Sequence, residues 1–251
     1  MNFWQNLVIS APKDVNALDL LQNRQQLGGA QAVLKMFGVS QEVIERAFTK
    51  FTGVPGRMEF IQREPFAVVV DYAHTPGSLE AVYQALSAVN GQVSRLRQGY
   101  GGQASVKGHA YEPKLICVLG SCGGGRDKWK RPKFGELAAQ YCKEIILTDE
   151  DPYDENPDSI LEEIESGFSQ TLNPKFEILK NYWKILDRRE AIKKAIGLAK
   201  PGDTVVITGK GSEKSIHVTK GKTIPWSDKA AVTEILAELE SQKISTSDID
   251  R

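Results

Sequence analysis

The stretch FAVVVDYAHTPGSLEAVYQALSAV, Phe66–Val89, decides the fold. Its first part, Phe66–Tyr72, is a continuous apolar run that reads as a strand buried on both faces. Thr75 then stands directly before Pro76. That is the order of an N-cap and a first helical residue, so Pro76–Val89 reads as a helix.

Toward the C-terminus the same unit recurs. Leu115–Gly120 (LICVLG) reads as a strand, Pro132–Cys142 opens a helix, and Glu144–Thr148 (EIILT) is a strand. Asp158–Phe168 is helical by period, with Ile160, Leu161 and Ile164 inward, and Phe176–Leu179 is a short strand. Asp187–Ala199 is a helix, Thr204–Thr208 (TVVIT) a strand, Ile216–Val218 an edge strand and Asp228–Leu239 the last helix. Toward the N-terminus, Thr52–Gly56 carries turn chemistry and reads as a linker. Before it, Ala30, Val33, Leu34 and Phe37 share one helical face, Gly38 is a stop, and Val43, Ile44, Ala47 and Phe48 form the inward face of a second helix. Residues 1–27 show no sustained period. Apolar strands alternating with amphipathic helices imply an α/β, Rossmann-like, doubly wound and mostly parallel sheet flanked by helices and preceded by a short helical segment. In such sheets ligands bind beyond the carboxyl ends of the strands.

One segment breaks the alternation. Asn90–Pro113 is rich in Gly, Gln and Ser and stands where a short loop belongs, so it reads as a low-complexity insertion. Arg95, Arg97, Tyr100 and Lys107 also fit a basic-aromatic nucleic-acid segment. The chain as a whole has 32 basic and 32 acidic residues, which argues against nucleic acid and anionic membrane as partners. Its three cysteines form no C-x-x-C pair, and they are expected to be reduced in a cytoplasmic protein. No apolar run approaches the roughly 20 residues of a membrane span. The start has neither a basic region nor a cleavage site of the kind that marks a signal peptide.

The unusual residues follow the strands. Asp71 and His74 sit after the first and fit either a ribose or phosphate contact or a polar turn capped by Thr75. After LICVLG comes Gly120-Ser-Cys-Gly-Gly-Gly-Arg126-Asp-Lys-Trp-Lys-Arg-Pro132, a Gly-rich basic loop that reads as an anion site. Its glycines allow close approach, the following helix points free N–H groups at the same space, and Arg126 is suited to a carboxylate. It contains neither G-x-x-x-x-G-K-[ST] nor G-x-G-x-x-G. After EIILT comes the acidic loop Asp149–Pro157, able to take an ammonium or a divalent metal but without EF-hand spacing. After TVVIT come Gly209-Lys-Gly-Ser-Glu213, a Gly turn with a carboxylate. A guanidinium and carboxylates at neighbouring strand ends match what an amino-acid zwitterion needs.

The order of these blocks resembles the Mur ligases, and their third-residue-adding, MurE-type members most closely. VPGRMEF (Val54–Phe60), VVDYAHTPGSLEAV, LGSCGGGRDKWKRP, TDEDPYDENP, DRREAIKKAI and TGKGSE occur in that family's order from about Gly28 to Leu239. The resemblance implies a helical remnant of the family's central domain over residues 1–53. It implies a C-terminal amino-acid-binding domain over 54–245, with the insertion at about 90–113. It implies that ATP phosphorylates the carboxyl end of UDP-MurNAc-L-Ala-D-Glu and that the incoming amine displaces phosphate. Arg126 is then expected to grip the amino acid's carboxylate. Glu150, Asp151, Pro152 and Tyr153 would line its side-chain pocket, and Gly209 and Glu213 would contact its distal end. Arg57 and Asp71, with His74 in support, would approach the nucleotide. No catalytic residue and no metal ligand is assigned to this chain.

Two departures matter. Diaminopimelate-adding members read D-N-P-R where this chain has Glu150-Asp151-Pro152-Tyr153. The loss of that Arg removes a bidentate clamp and points to a side chain ending in an amine, lysine or ornithine, before diaminopimelate. Ser212 stands where the family commonly has His. The P-loop, the UDP-sugar domain and the Mg2+-binding carbamylated lysine of the complete enzymes have no counterpart here, so no turnover is expected from the chain alone. It would be a monomer, either a truncated piece of such an enzyme or one working with a separate ATPase chain; the alternative is a non-catalytic amino-acid- or nucleotide-binding module.

Overall fold

The computed structural model describes residues 30–51, 53–99, 111–170 and 181–247. The expected strand at Phe176–Leu179 and residues 1–27 lie outside them.

Six strands form the main sheet: β1 (Glu59–Gln62), β2 (Ala67–Asp71), β3 (Leu115–Leu119), β4 (Glu144–Leu147), β5 (Tyr182–Lys184) and β6 (Thr204–Thr208). Their order is β1-β2-β6-β3-β4-β5. β1 is antiparallel to β2 and every other pairing is parallel. The helices are α1 (Gln41–Thr49), α2 (Pro76–Gly99), α3 (Lys130–Tyr141), α4 (Pro157–Glu165), α5 (Arg188–Leu198) and α6 (Asp228–Ser247).

The apolar strands are buried on both faces, as their composition requires. Val69, Cys117, Leu119, Ile145 and Val206 pack against α2, α3 and α4 through Leu79, Tyr83, Phe134, Leu137 and Ile164. Val68, Val70, Ile116, Val118, Ile146, Val205 and Ile207 pack against α5 and α6 through Ile192, Ile196, Val232 and Ile235. Successive side chains on a strand alternate between these two layers.

The chain runs outward from β2 to β5 with α2–α4 on one face. It then returns through α5 on the other and inserts β6 between β2 and β3. The loops leaving β3 and β6 therefore depart to opposite faces, which opens a crevice at the carboxyl ends of these two strands.

Several expectations are corrected. Glu59–Gln62 forms an edge strand that the sequence reading did not mark. Residues 90–99 are not loop but the continuation of α2. Their Gln, Ser, Arg and Leu residues have ordinary helix propensity. A helix already anchored by packing extends through Gly91 for about 1 kcal/mol. Residues 100–110 lie outside the described residues. The edge strand beside β4 is Tyr182–Lys184, a short alternating segment with no apolar run to announce it. Ile216–Val218 leaves the main sheet: β7 (Ser215–Val218) and β8 (Lys222–Pro225) form a separate antiparallel hairpin.

Residues 30–36 and α1 are helical as expected. Of their anticipated inward residues, however, Ile44 is buried while Val33, Phe37 and Val43 are exposed. The cysteines are not all reduced: Cys117 and Cys142 are joined by a disulfide, their Cα atoms 6.1 Å apart. The end of α3 packs beside β3, an adjacency that spacing along the chain does not reveal. Among the described residues, no helix is long and apolar enough to cross a membrane.

Candidate amino-acid site

The basic loop after β3 is mostly committed internally. Arg131 is fully buried and donates to Glu155 and Glu163 at 3.0 Å and to the Cys122 carbonyl at 3.1 Å. Glu155 also takes Lys128 at 2.9 Å and the Gly125 N–H at 2.6 Å. The Arg131 hydrogen bond, then that N–H and Lys128, draw the Glu155 carboxyl down to about 2. Lys130 donates to the His74 carbonyl. Arg126 differs. It is exposed and makes no hydrogen bond or ion pair among the described residues, yet its charge is felt by Cys122 and Tyr153. Of the cations in this loop, it is the one left for a ligand.

The loops after β4 and β6 interlock. Lys210, fully buried, bridges Asp151 at 2.8 Å and Glu213 at 2.5 Å. Asp151 also accepts the His217 N–H at 2.7 Å. Burial opposes charge on Lys210, but these two carboxylates hold its pKa above the usual lysine value. Burial likewise raises Glu213, yet Lys210 and the Tyr72 hydroxyl together bring it below the ordinary range. Tyr153 has φ +52° and stacks on His217 with ring centroids 5.1 Å apart. The β7–β8 hairpin thus forms one wall of the site.

Glu150 is placed differently. It is 6% exposed, and its carboxyl reaches from the end of β4 across β3 to β6. Cβ atoms built on Gly120 and Gly209 would collide with this arrangement, 2.4 Å from the Thr148 carbonyl in one case and 2.2 Å from Glu150 Oε2 in the other. Pro152 lies against Gly123, whose Cβ would fall 2.1 Å from the Pro152 carbonyl. These glycines therefore make room for the acidic loop. Burial pushes the Glu150 carboxyl up to about 7 and its neighbour Asp149 up to about 6.

The residues expected near a nucleotide join this network. Asp71 accepts the N–H groups of Met58 and Ala73, both at 2.7 Å, and so pins the turn before β1 to the end of β2. Burial nevertheless raises its pKa. Arg57 lies over the Tyr72 ring at 4.1 Å, and His74 meets that ring edge-on while bonding the Tyr72 carbonyl. Tyr72 donates to Glu213 at 2.8 Å. With Asp71 committed to backbone amides, Arg57, Asp71 and His74 do not by themselves make a phosphate cradle. Among the described residues, no cluster of His, Cys, Asp or Glu could hold a metal ion.

The structure thus brings Glu150, Asp151, Pro152, Tyr153, Gly209 and Glu213 together, with Arg126 near enough for its charge to act on Tyr153. Arg57, Asp71 and His74 reach the same assembly through Tyr72. Tyr72, Lys210, His217 and Arg188 carry it but escape sequence reading. Lys210 between two glycines after a strand was the available signal. Arg188 gave less: it is buried, holds Asp228 at 2.8 and 2.9 Å, and donates to the carbonyls of Thr208 and Asp149.

An exposed guanidinium without an ion pair among the described residues and a carboxylate cluster thus stand at the strand ends of a doubly wound α/β domain. The chain belongs to the Mur ligase family, matching the family's glutamate ligase domain over residues 56–101 and 103–211. It is 39% identical over 210 residues to the UDP-N-acetylmuramoyl-L-alanyl-D-glutamate--2,6-diaminopimelate ligase of Aquifex aeolicus, covering 84% of this chain and 37% of that protein. It is 36% identical over 203 residues to the UDP-N-acetylmuramyl-tripeptide synthetase of Deinococcus radiodurans, covering 80% and 36%. A solved structure of a UDP-N-acetylmuramoyl-L-alanyl-D-glutamate--2,6-diaminopimelate ligase superposes with TM-score 0.57 at 28% identity, over 87% of this chain and 39% of that one. The chain thus spans little more than a third of the relatives' length.

Proposed function

We propose that this chain is the amino-acid-holding domain of an ATP-dependent amide ligase that adds the third residue to UDP-MurNAc-L-Ala-D-Glu in peptidoglycan synthesis. The observation that carries this reading is Arg126, an exposed guanidinium without an ion pair among the described residues, in the loop that follows β3 next to the carboxylates after β4 and β6. The amino acid's carboxylate binds Arg126, and its distal end meets Tyr153, Gly209 and Glu213. The activated carboxylate comes from an ATPase unit with a P-loop, since the sequence contains no G-x-x-x-x-G-K-[ST]. ATP and its Mg2+ supply the acyl phosphate there, and Arg57, Asp71 and His74 border the nucleotide. This domain orients the amine and keeps water from the reacting carbonyl.

Tyr153 carries no charge to hold a distal carboxylate, which favours lysine or ornithine. The structure trims the rest of that argument, because Asp151 is neutralised by Lys210 and Glu150 is buried. Glu213 shares Lys210 with Asp151, so the uncharged Tyr153 carries the preference. The names of the relatives favour diaminopimelate instead. Calorimetric titration of the chain with L-lysine, L-ornithine and meso-diaminopimelate decides between them. Lysine or ornithine should bind best, and Arg126→Ala should weaken every member of the series. A panel in which none binds, or in which Arg126→Ala changes nothing, refutes the reading.

A further inference from the structure

We propose that His217, on the β7–β8 hairpin, sets which distal end the amino-acid site accepts, by fixing the ring of Tyr153. This rests on the amino-acid reading above and adds to it a positioning residue from outside the strand-end loops. Tyr153 is held in an unusual way. Its φ of +52° is a left-handed conformation that a bulky side chain rarely adopts. Surrounding contacts have to impose such a backbone. The Tyr153 N–H donates to the His217 carbonyl at 3.2 Å. Its ring stacks on the imidazole, with centroids 5.1 Å apart and 17° between the planes. The same ring lies against the basic loop, where a Cβ added to Gly124 would stand 3.4 Å from it. Tyr153 thus touches the loop after β3 and the hairpin at once.

The hairpin is anchored independently of the stack. The His217 N–H donates to Asp151 at 2.7 Å and the Lys220 N–H to Asp154 at 2.8 Å. Both are main-chain donors, so these bonds survive a change of side chain at position 217. The imidazole therefore has a separable task as the flat surface against which Tyr153 is set. Both rings are only half-buried, so the pair keeps an accessible side. The quadrupole of an aromatic face attracts an ammonium and repels a carboxylate. Fixed on His217, the Tyr153 ring presents that face in one position. Released from it, the ring moves among its rotamers and discriminates less. Arg126 acts on the carboxylate that every amino acid carries, whereas His217 acts on the end at which they differ.

Calorimetry on the full chain tests this, with L-lysine, L-ornithine and meso-diaminopimelate as probes and the ratio of their affinities as the readout. His217→Ala should shrink the preference for lysine over diaminopimelate about fivefold, the strength of one aromatic stack. Arg126→Ala, by contrast, should weaken all three alike. His217→Phe restores a stacking face and should recover the wild-type ratio. A purely structural role would weaken every probe together and leave the ratio alone. In the wild type, the ring resonance of His217, one of three histidines in the sequence, should shift as L-lysine is added. An unchanged ratio in His217→Ala overturns the inference and leaves the amino-acid site standing. So does a His217→Phe ratio no better than that of the alanine variant. A His217 resonance unmoved at saturating lysine does the same, and it decides the matter even if the alanine variant does not fold. A wild type that prefers diaminopimelate also overturns the inference. Failure of the wild type to bind any of the three probes overturns both.

Discussion

Arg126 and Arg131 share one basic loop and have opposite fates. Arg131 is buried between Glu155, Glu163 and the Cys122 carbonyl, whereas Arg126 faces solvent. Arg131→Ala should therefore destabilise the fold by about 3 kcal/mol, seen as an earlier denaturation midpoint, because Glu155 and Glu163 lose their partner. Arg126→Ala should leave the melting temperature unchanged and lower amino-acid affinity by about tenfold or more, the loss of a charge-assisted hydrogen bond. Glu150 and Asp149 make a pH prediction. Burial raises both pKa values, to about 7 and about 6, so the fold binds their protons more tightly than the unfolded chain does. Their contribution is whole below about pH 4 and is lost as pH rises through 6 and 7. Melting temperature should fall between pH 5 and pH 8, and Glu150→Gln should reduce that fall, gaining on the order of 2 kcal/mol at pH 8. A variant no more stable than wild type at pH 8 would contradict the buried placement.

At the scale of elements, glycine decides how closely they approach. The Gly135 Cα in α3 faces the Ile164 carbonyl at the end of α4, and an added Cβ would stand 1.9 Å from that oxygen. Gly135→Ala should push the two helices apart and cost about 1–3 kcal/mol, measurable by urea denaturation, although alanine is the better helix former. Gly211 does the same work between loops, where a Cβ would meet Tyr72 and the Gly56 carbonyl. The apolar strands and their helices were legible because their residues are buried on both faces, and such runs have few alternatives. β1 and β5 were not, since short edge strands of mixed polarity take their conformation from the neighbour that pairs with them. The continuation of α2 through Gly99 was hidden by glycines and glutamines that a packed helix tolerates.

For the whole molecule, the strand order places β6 between β2 and β3, so residues far apart in the chain meet at one edge of the sheet. Asp151, Lys210, Glu213 and Tyr72 form a continuous chain of contacts from three different loops. The sequence contains no phosphate-binding loop of the P-loop type, G-x-x-x-x-G-K-[ST]. The chain supplied with ATP, UDP-MurNAc-dipeptide and amino acid should accordingly release no phosphate, while amino-acid binding persists. Phosphate release by the chain alone would refute that division of labour. The sequence by itself determined the alternation of strand and helix, because burial of apolar runs and the capping of helices act locally. It also placed the charged loops at strand ends. Only the tertiary structure decided which charges of the basic loop are paired: Lys128, Lys130 and Arg131 are held by neighbours brought from elsewhere in the chain, as Lys210 is by Asp151, while Arg126 stays exposed. Pairing in space depends on which strands lie side by side, and that order is a property of the packed sheet.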